Sequence, residues 1–384
     1  MIEKALRGSR SYLLWMLFLL VVAAAGFLSY LRQWDIGLGV TGLSRNISWG
    51  LYIANFTFFV GVAASAVMVV LPYYLHDTKA FGKITVLGEF LAVGAVIMSV
   101  LFVFVDLGQP SRVLNVLLYP SPSSLLFWDM IVLNGYLVLN LLVGWASLDA
   151  EHKAEPPAGW VKPLVLLSIP WAISIHTVTA FIYSGLGARS FWLTALLAPR
   201  FLSSAFASGP ALLIMMALIL KKGTKFDAGK EAIQKVAQIV TYGLLVTLFF
   251  FLVETFTVFY SALPAHEEHF VYLLFGLAGK SDLVPWMWGS LMLTVLALVL
   301  LINPATRRNE PLLFLACIAT FVSIWIDKGL GLIVPGFSPS PLGEITLYAP
   351  TAPEILITAG VWALGFLVIS VLYKLVIEVR TGER

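Results

Sequence analysis

The sequence predicts an all-α integral membrane protein: ten transmembrane helices, two four-helix bundles (spans 2–5 and 6–9) between a first and a last helix, and both termini cytoplasmic. Composition is the first observation. Of 384 residues, 60% are hydrophobic and 12% charged, and the mean hydropathy is +0.92, whereas soluble domains carry about 25% charged residues. The second is ten apolar stretches of spanning length, near 12–31, 49–75, 84–105, 124–147, 163–187, 201–220, 232–261, 285–302, 311–333 and 354–378. The third is the distribution of Lys and Arg: seventeen fall on the side of the termini and six on the other, with Lys328 inside a span. Every loop agrees with one alternating path, and basic loops mark the cytoplasmic side.

The first span follows Lys4, Arg7 and Arg10, as a signal peptide would, but its ~20 apolar residues are long enough to cross a bilayer, so it reads as a retained helix. Spans 2–5 and 6–9 share a faint parallel repeat. "AFIYSGLG" (180–187) echoes "SIWIDKGLG" (323–331), "AAS" (63–65) echoes "FAS" (206–208), and "FWD" (127–129) has its counterpart in "MWG" (287–289). Chance similarity between apolar helices competes with this reading. The chain is expected to form one membrane domain over 1–384, divided at 1–48, 49–187, 188–333 and 334–384. The seventh span is the longest and is expected to tilt or project. The longer outer loops, rich in Pro, Gly and aromatics, read either as ordinary interfacial loops or as docking surface for an extracytoplasmic partner.

The function classes narrow by exclusion. A net charge of +3, dispersed along the chain, gives no ground for nucleic-acid binding. The single cysteine, Cys317, cannot supply an internal disulfide, a CxxCH haem attachment or a cysteine-held iron–sulfur cluster. A b-type haem needs two deep axial histidines and only His176 is deep, so neither haem nor iron–sulfur cluster is expected on this chain, and no metal. His76 and His152 sit at the cytoplasmic side, and "HEEH" (266–269) reads as a polar outer loop.

Ionisable groups at membrane depth are costly and so point to function. They are Glu89, Asp106, Asp129, His176, Glu254, Asp327 and Lys328. Most fall in the outer half, which suggests a site entered from there. His176, Thr179, Tyr183 and Ser184 share one face of span 5. Such a stripe suits hydrogen bonding to a quinone carbonyl and proton relay by a side chain that titrates near neutrality. Bland readings stand beside these: His176 as a satisfied interhelical bond, Asp327 and Lys328 each in a structural pair, Glu89 solvated at the cytoplasmic interface.

"DLGQPSR" (106–112), "FWDM" (127–130), "SIHTVTAF" (174–181), the run from Ala188 to Leu213 and "ETFTVFY" (254–260), in this order, resemble the NrfD/PsrC family, the membrane subunits of polysulfide reductase and related respiratory complexes. Within it the chain is similar to the long, ten-span branch, and most to the DsrP-type subunits of sulfite-reduction-associated DsrMKJOP complexes. The resemblance implies two four-helix bundles and exchange of electrons between a menaquinone or ubiquinone pool and an extracytoplasmic ferredoxin-like iron–sulfur subunit. A multihaem cytochrome c and further membrane subunits are further implied partners, and a prokaryotic cytoplasmic membrane the location. It points to His176 and Asp106 as catalytic, to Arg112, His176, Asp129, Tyr183 and Glu254 as quinone-binding, and to Glu89, Asp327 and Lys328 as a proton path. Asp106 and Arg112 could instead staple their loop by an ion pair. A secondary transporter or proton-translocating channel would use the same buried charges. The parallel repeat and the lack of a clear mid-span breaker besides Pro170 weigh against it.

Overall fold

A computed structural model describes residues 8–75 and 79–381. Lys4, Arg7, His76 and Arg384, which entered the orientation and haem arguments, lie outside them. Ten helices are long and apolar enough to cross a membrane. They are α1 (Arg10–Ile36), α2 (Leu51–Ala63 continued by Ser65–Leu75), α3 (Gly82–Asp106), α4 (Leu125–Lys153) and α5 (Val161–Ser184). After them come α6 (Leu197–Gly223), α7 (Lys230–Ser261), α8 (Val284–Ile302), α9 (Glu310–Lys328 continued by Leu330–Ile333) and α10 (Ala352–Thr381). Among the described residues there is no strand, as expected where lipid cannot satisfy free backbone groups. An even number of crossings puts the Arg10 and Thr381 ends on one face, here the termini face; the longer loops occupy the opposite, long-loop face.

Helices α2–α5 pack in a closed ring, α6–α9 in a second, and the rings meet where α2 touches α6 and α9 and α5 touches α6. Every residue of Leu51–Ala63 is buried, which explains why α2 is apolar all round rather than on one stripe. At the crossing with α6 the chain closes in at small residues: a Cβ on Gly209 would stand 2.8 Å from the Val62 carbonyl oxygen. Here α2 is interrupted by a single turn at Ala64, whose N–H reaches back to the Gly61 carbonyl (3.2 Å). The "AAS" and "FAS" segments thus face each other across the contact between rings. Pro170, the clearest mid-span breaker residue in the sequence, leaves α5 unbroken. Helix α10 lies against α3 and pairs with α1, where Gly26 and Gly360 bring the backbones together: a Cβ on Gly26 would fall 2.6 Å from the Gly360 Cα. Helix α7, with 32 residues, is the longest. On the long-loop face, Pro264–Leu274 forms a helix of its own, so "HEEH" is helical rather than loop.

Candidate quinone-reactive site

Three polar clusters occupy the interior. The first hangs from α5 inside the α2–α5 ring, where His176, Thr179 and Tyr183 are all at most 1% exposed. Thr179 Oγ1 lies 2.7 Å from both Asp129 Oδ1 of α4 and the Ile175 carbonyl. One turn further, the Tyr183 hydroxyl meets Thr57 Oγ1 of α2. The Tyr183 ring is boxed by edge-on contacts to Trp49 (5.7 Å between centroids), Trp192 (5.3 Å) and Phe201 (5.9 Å). Phe337 closes the cap against both tryptophans, and the Arg189 guanidinium lies 4.6 Å over its ring. Trp192 donates to the Leu332 carbonyl (2.9 Å) and fits only because residue 336 is glycine; a Cβ there would stand 2.0 Å from the indole. His176, one turn deeper, has no hydrogen-bond partner at Nδ1 or Nε2 among the described residues. A buried donor or acceptor without a partner costs about 1–3 kcal/mol, so this imidazole is not the satisfied interhelical bond that the bland reading required.

The second cluster joins the rings. Arg200 of α6 pairs with Glu254 of α7 and with Asp327 of α9 (3.2 Å). Lys328 instead turns toward α2 and α6: its Nζ donates to the Phe201 carbonyl (3.3 Å) and lies 4.3 Å over the Phe201 ring, and it is His176's electrostatic neighbour. The adjacent residues Asp327 and Lys328 thus serve different partners. Around Arg200 one guanidinium meets two carboxylates, and this pairing is what lets the charges stand in a poorly polarisable interior.

Glu89 forms the third, toward the termini face. It is 1% exposed and, among the described residues, neither carboxylate oxygen has a hydrogen-bond partner, so the solvated reading is overturned: α3 turns it inward against Gly144 of α4. Gly144 lets α4 come close here: a Cβ would stand 2.8 Å from the Phe90 ring and 3.2 Å from Glu89 Oε2. Nearer the termini face, Arg380 of α10 grips both oxygens of Glu151 (2.8 Å each) and the carbonyls of Gly82 and Lys83.

Asp106 and Arg112 do not come together. Asp106 ends α3 with Oδ1 buried and without a partner. Arg112 stands exposed on the turn Pro110–Arg112, and among the described residues the two form no ion pair. Several partners escaped sequence reasoning. Arg200 was assigned to a loop because the apolar stretch was started at residue 201; the helix begins at Leu197, its first turn inside the protein. Glu354, at the start of α10, is fully buried and accepts from Tyr348 Oη, Gly42 N (2.9 Å) and Leu51 N (3.3 Å). It caps α2 from across the fold, and nothing near it in sequence signals that.

A family model, "Polysulphide reductase, NrfD", matches residues 39–336. The chain belongs to the NrfD family. Among its relatives, a protein of Halobacterium salinarum assigned as a membrane subunit of dimethyl sulfoxide reductase is 26% identical, over 92% of this chain and 89% of that one. The Hdr-like menaquinol oxidoreductase integral membrane subunit of Archaeoglobus fulgidus is 24% identical (96% and 93%), and a selenate reductase subunit of Mesobacillus selenatarsenatis 24% (82% and 80%). The chain is thus a multi-pass integral membrane protein similar to membrane subunits of oxidoreductases.

Proposed function

We propose that this NrfD protein is the quinone-reactive membrane subunit of a respiratory redox complex. It exchanges electrons between the quinone pool and an extracytoplasmic iron–sulfur or cytochrome partner. The observation that carries the reading is the unpartnered His176 imidazole, buried at membrane depth on α5 one turn from Thr179, which holds Asp129, and with Lys328 as its electrostatic neighbour. Quinone chemistry moves two electrons with two protons and needs such titratable groups near an apolar aromatic wall. The menaquinol named for the Archaeoglobus relative adds support.

In this reading His176 and Asp129 hold and pass the protons. Tyr183 and the Trp49–Trp192 cap exclude water, and Asp106 serves the long-loop mouth. The exposed Arg112 belongs to the rim where a redox partner docks. Glu254 and Asp327 act through Arg200, keeping α6, α7 and α9 in register beside Lys328. Glu89 stands on the proton route to the termini face, taken as cytoplasmic from the basic loops. The sulfite linkage rests on sequence resemblance alone, since the relatives' names cover dimethyl sulfoxide, selenate and menaquinol; subunits that co-purify decide it.

The test is His176→Ala in the assembled complex. Quinol-linked electron transfer is expected to be lost while assembly is retained, and unchanged turnover sinks the assignment. A chain that purifies with no quinone or redox partner and moves a solute in vesicles would favour the transporter reading.

A further inference from the structure

Helix α10 pairs with α1 and lies against α3 of the first ring. On the termini half, a groove of about 1600 Å³ separates this pair from α6 and α9 of the second ring, larger than the usual small-molecule site. Leu212 and Met215 of α6 and Tyr373 of α10 are buried along its floor, while Trp15 and Ile219 are exposed on its sides, so the groove opens toward lipid. The floor asks for nothing polar. The Tyr373 hydroxyl donates to the Leu87 carbonyl (2.9 Å). Trp15 Nε1 donates to Ser370 Oγ (3.0 Å), whose own proton goes to the Phe366 carbonyl (2.7 Å).

The lining is sorted by depth. Its apolar part reaches Leu212 on α6 and Phe366 on α10, each twelve residues from the termini end of the groove at Thr224 and Glu378. Twelve helical residues rise ~18 Å, close to the ~15 Å of hydrocarbon in half a bilayer. Among the described residues, the ionised side chains of the lining are Lys225, Lys374 and Glu378, all within about a turn of the termini end. Lys374 pairs with Glu378 (3.1 Å) and lies over the Tyr12 ring. Two cations against one anion leave a single positive charge in excess. Ser11, near the start of α1, adds an exposed hydroxyl to the same end.

We propose that the groove holds one diacyl phospholipid of the leaflet on the termini side, with its phosphate at Lys225 and Lys374 and its chains laid along α6 and α10. The excess positive charge matches the single negative charge of a phosphodiester, and basic pockets between membrane helices suit lipid head groups. The depth of the apolar lining matches one leaflet, and the two methionines of α6 (Met215, Met216) give it walls that adapt to flexible chains. A quinone tail or the apolar flank of a partner helix has no use for the lysines. The lipid fastens the α1–α10 pair, which is held by the first ring, to the second. This inference stands on the membrane embedding of the chain and is independent of the quinone reading.

The test is native mass spectrometry of the full-length protein, transferred to detergent from nanodiscs of phosphatidylethanolamine and phosphatidylglycerol. The unmodified protein is expected to retain one phospholipid per chain. Lys225→Gln is expected to lower the retained fraction ~5-fold, and Ile219→Trp, which puts bulk into the open side of the groove, to lower it as well. Lys222→Gln, the same loss of charge at an exposed lysine outside the groove, is expected to leave it unchanged. No phospholipid on the unmodified protein, or equal loss from Lys225→Gln and Lys222→Gln, overturns the site. Loss in Ile219→Trp alone shows an uncharged occupant and overturns the phospholipid assignment.

Discussion

At the scale of single residues the molecule separates charges that are satisfied from those that are not. Arg200 is satisfied, and removing it strands Glu254 and Asp327 together in the interior. Arg200→Ala is therefore expected to cost about 3–5 kcal/mol, read as a large fall in the thermal midpoint of the detergent-purified protein. A midpoint within a degree or two of the parent contradicts the balanced-cluster description. Glu89 is the opposite case. Neither of its oxygens takes a hydrogen bond, so Glu89→Gln removes a buried acid without breaking a pair. It is expected to leave the thermal midpoint unchanged or raised, while slowing proton uptake linked to quinone turnover in reconstituted vesicles. Normal uptake removes Glu89 from the route. The sequence singled out Glu89, His176, Asp129 and Lys328 correctly as buried groups, because an ionisable residue within a long apolar run has few other places to be. It could not say which were paired. Pairing joins residues as far apart as Arg200 and Asp327, and no local pattern encodes that distance.

At the scale of elements, the short helix Pro264–Leu274 shows how a long-loop segment is pinned. Ser190 donates to the Ala265 carbonyl (2.5 Å), which leaves its oxygen to accept from His269 Nε2 at 3.0 Å. His269 is neutral there, and burial pushes its pKa down to about 4. The folded state thus disfavours the proton that an unfolded histidine binds near 6.5. Stability from this contact is complete above that value and declines as pH falls from about 6.5 toward 4. Faster hydrogen exchange in 264–274 is expected at pH 5 than at pH 7.5, and His269→Gln is expected to flatten that dependence; a loss of protection equal in both proteins rules His269 out as its source. The element boundaries themselves were legible within a few residues, since hydropathy falls where a chain leaves the bilayer. The turn at Ala64 was not. It lies where Gly209 of α6 comes closest to α2, whereas Pro170, the locally obvious breaker, is accommodated within an intact helix.

For the whole molecule, the two rings and the α1–α10 pair place the Arg10 and Thr381 ends on one face, which the distribution of Lys and Arg leads us to expect on the cytoplasmic side. Reporter fusions after Arg384 and before Met1 are expected to report the cytoplasmic side alike; opposite signals contradict the count of ten crossings. The sequence by itself determined ten segments long and apolar enough to cross a membrane and which ionisable residues fall within them. These follow from the free energy of moving each segment into hydrocarbon, a local sum along the chain. Only the tertiary structure decided that Asp106 and Arg112 stand apart, and that the separate partners expected for Asp327 and Lys328 are Arg200 and the Phe201 carbonyl. It alone revealed Glu354 capping α2 from the far end of the chain, and His176 left without a partner. Those outcomes depend on which helices meet and through which faces, and inside a bilayer that is settled by side-chain packing and pairwise hydrogen bonding rather than by hydropathy.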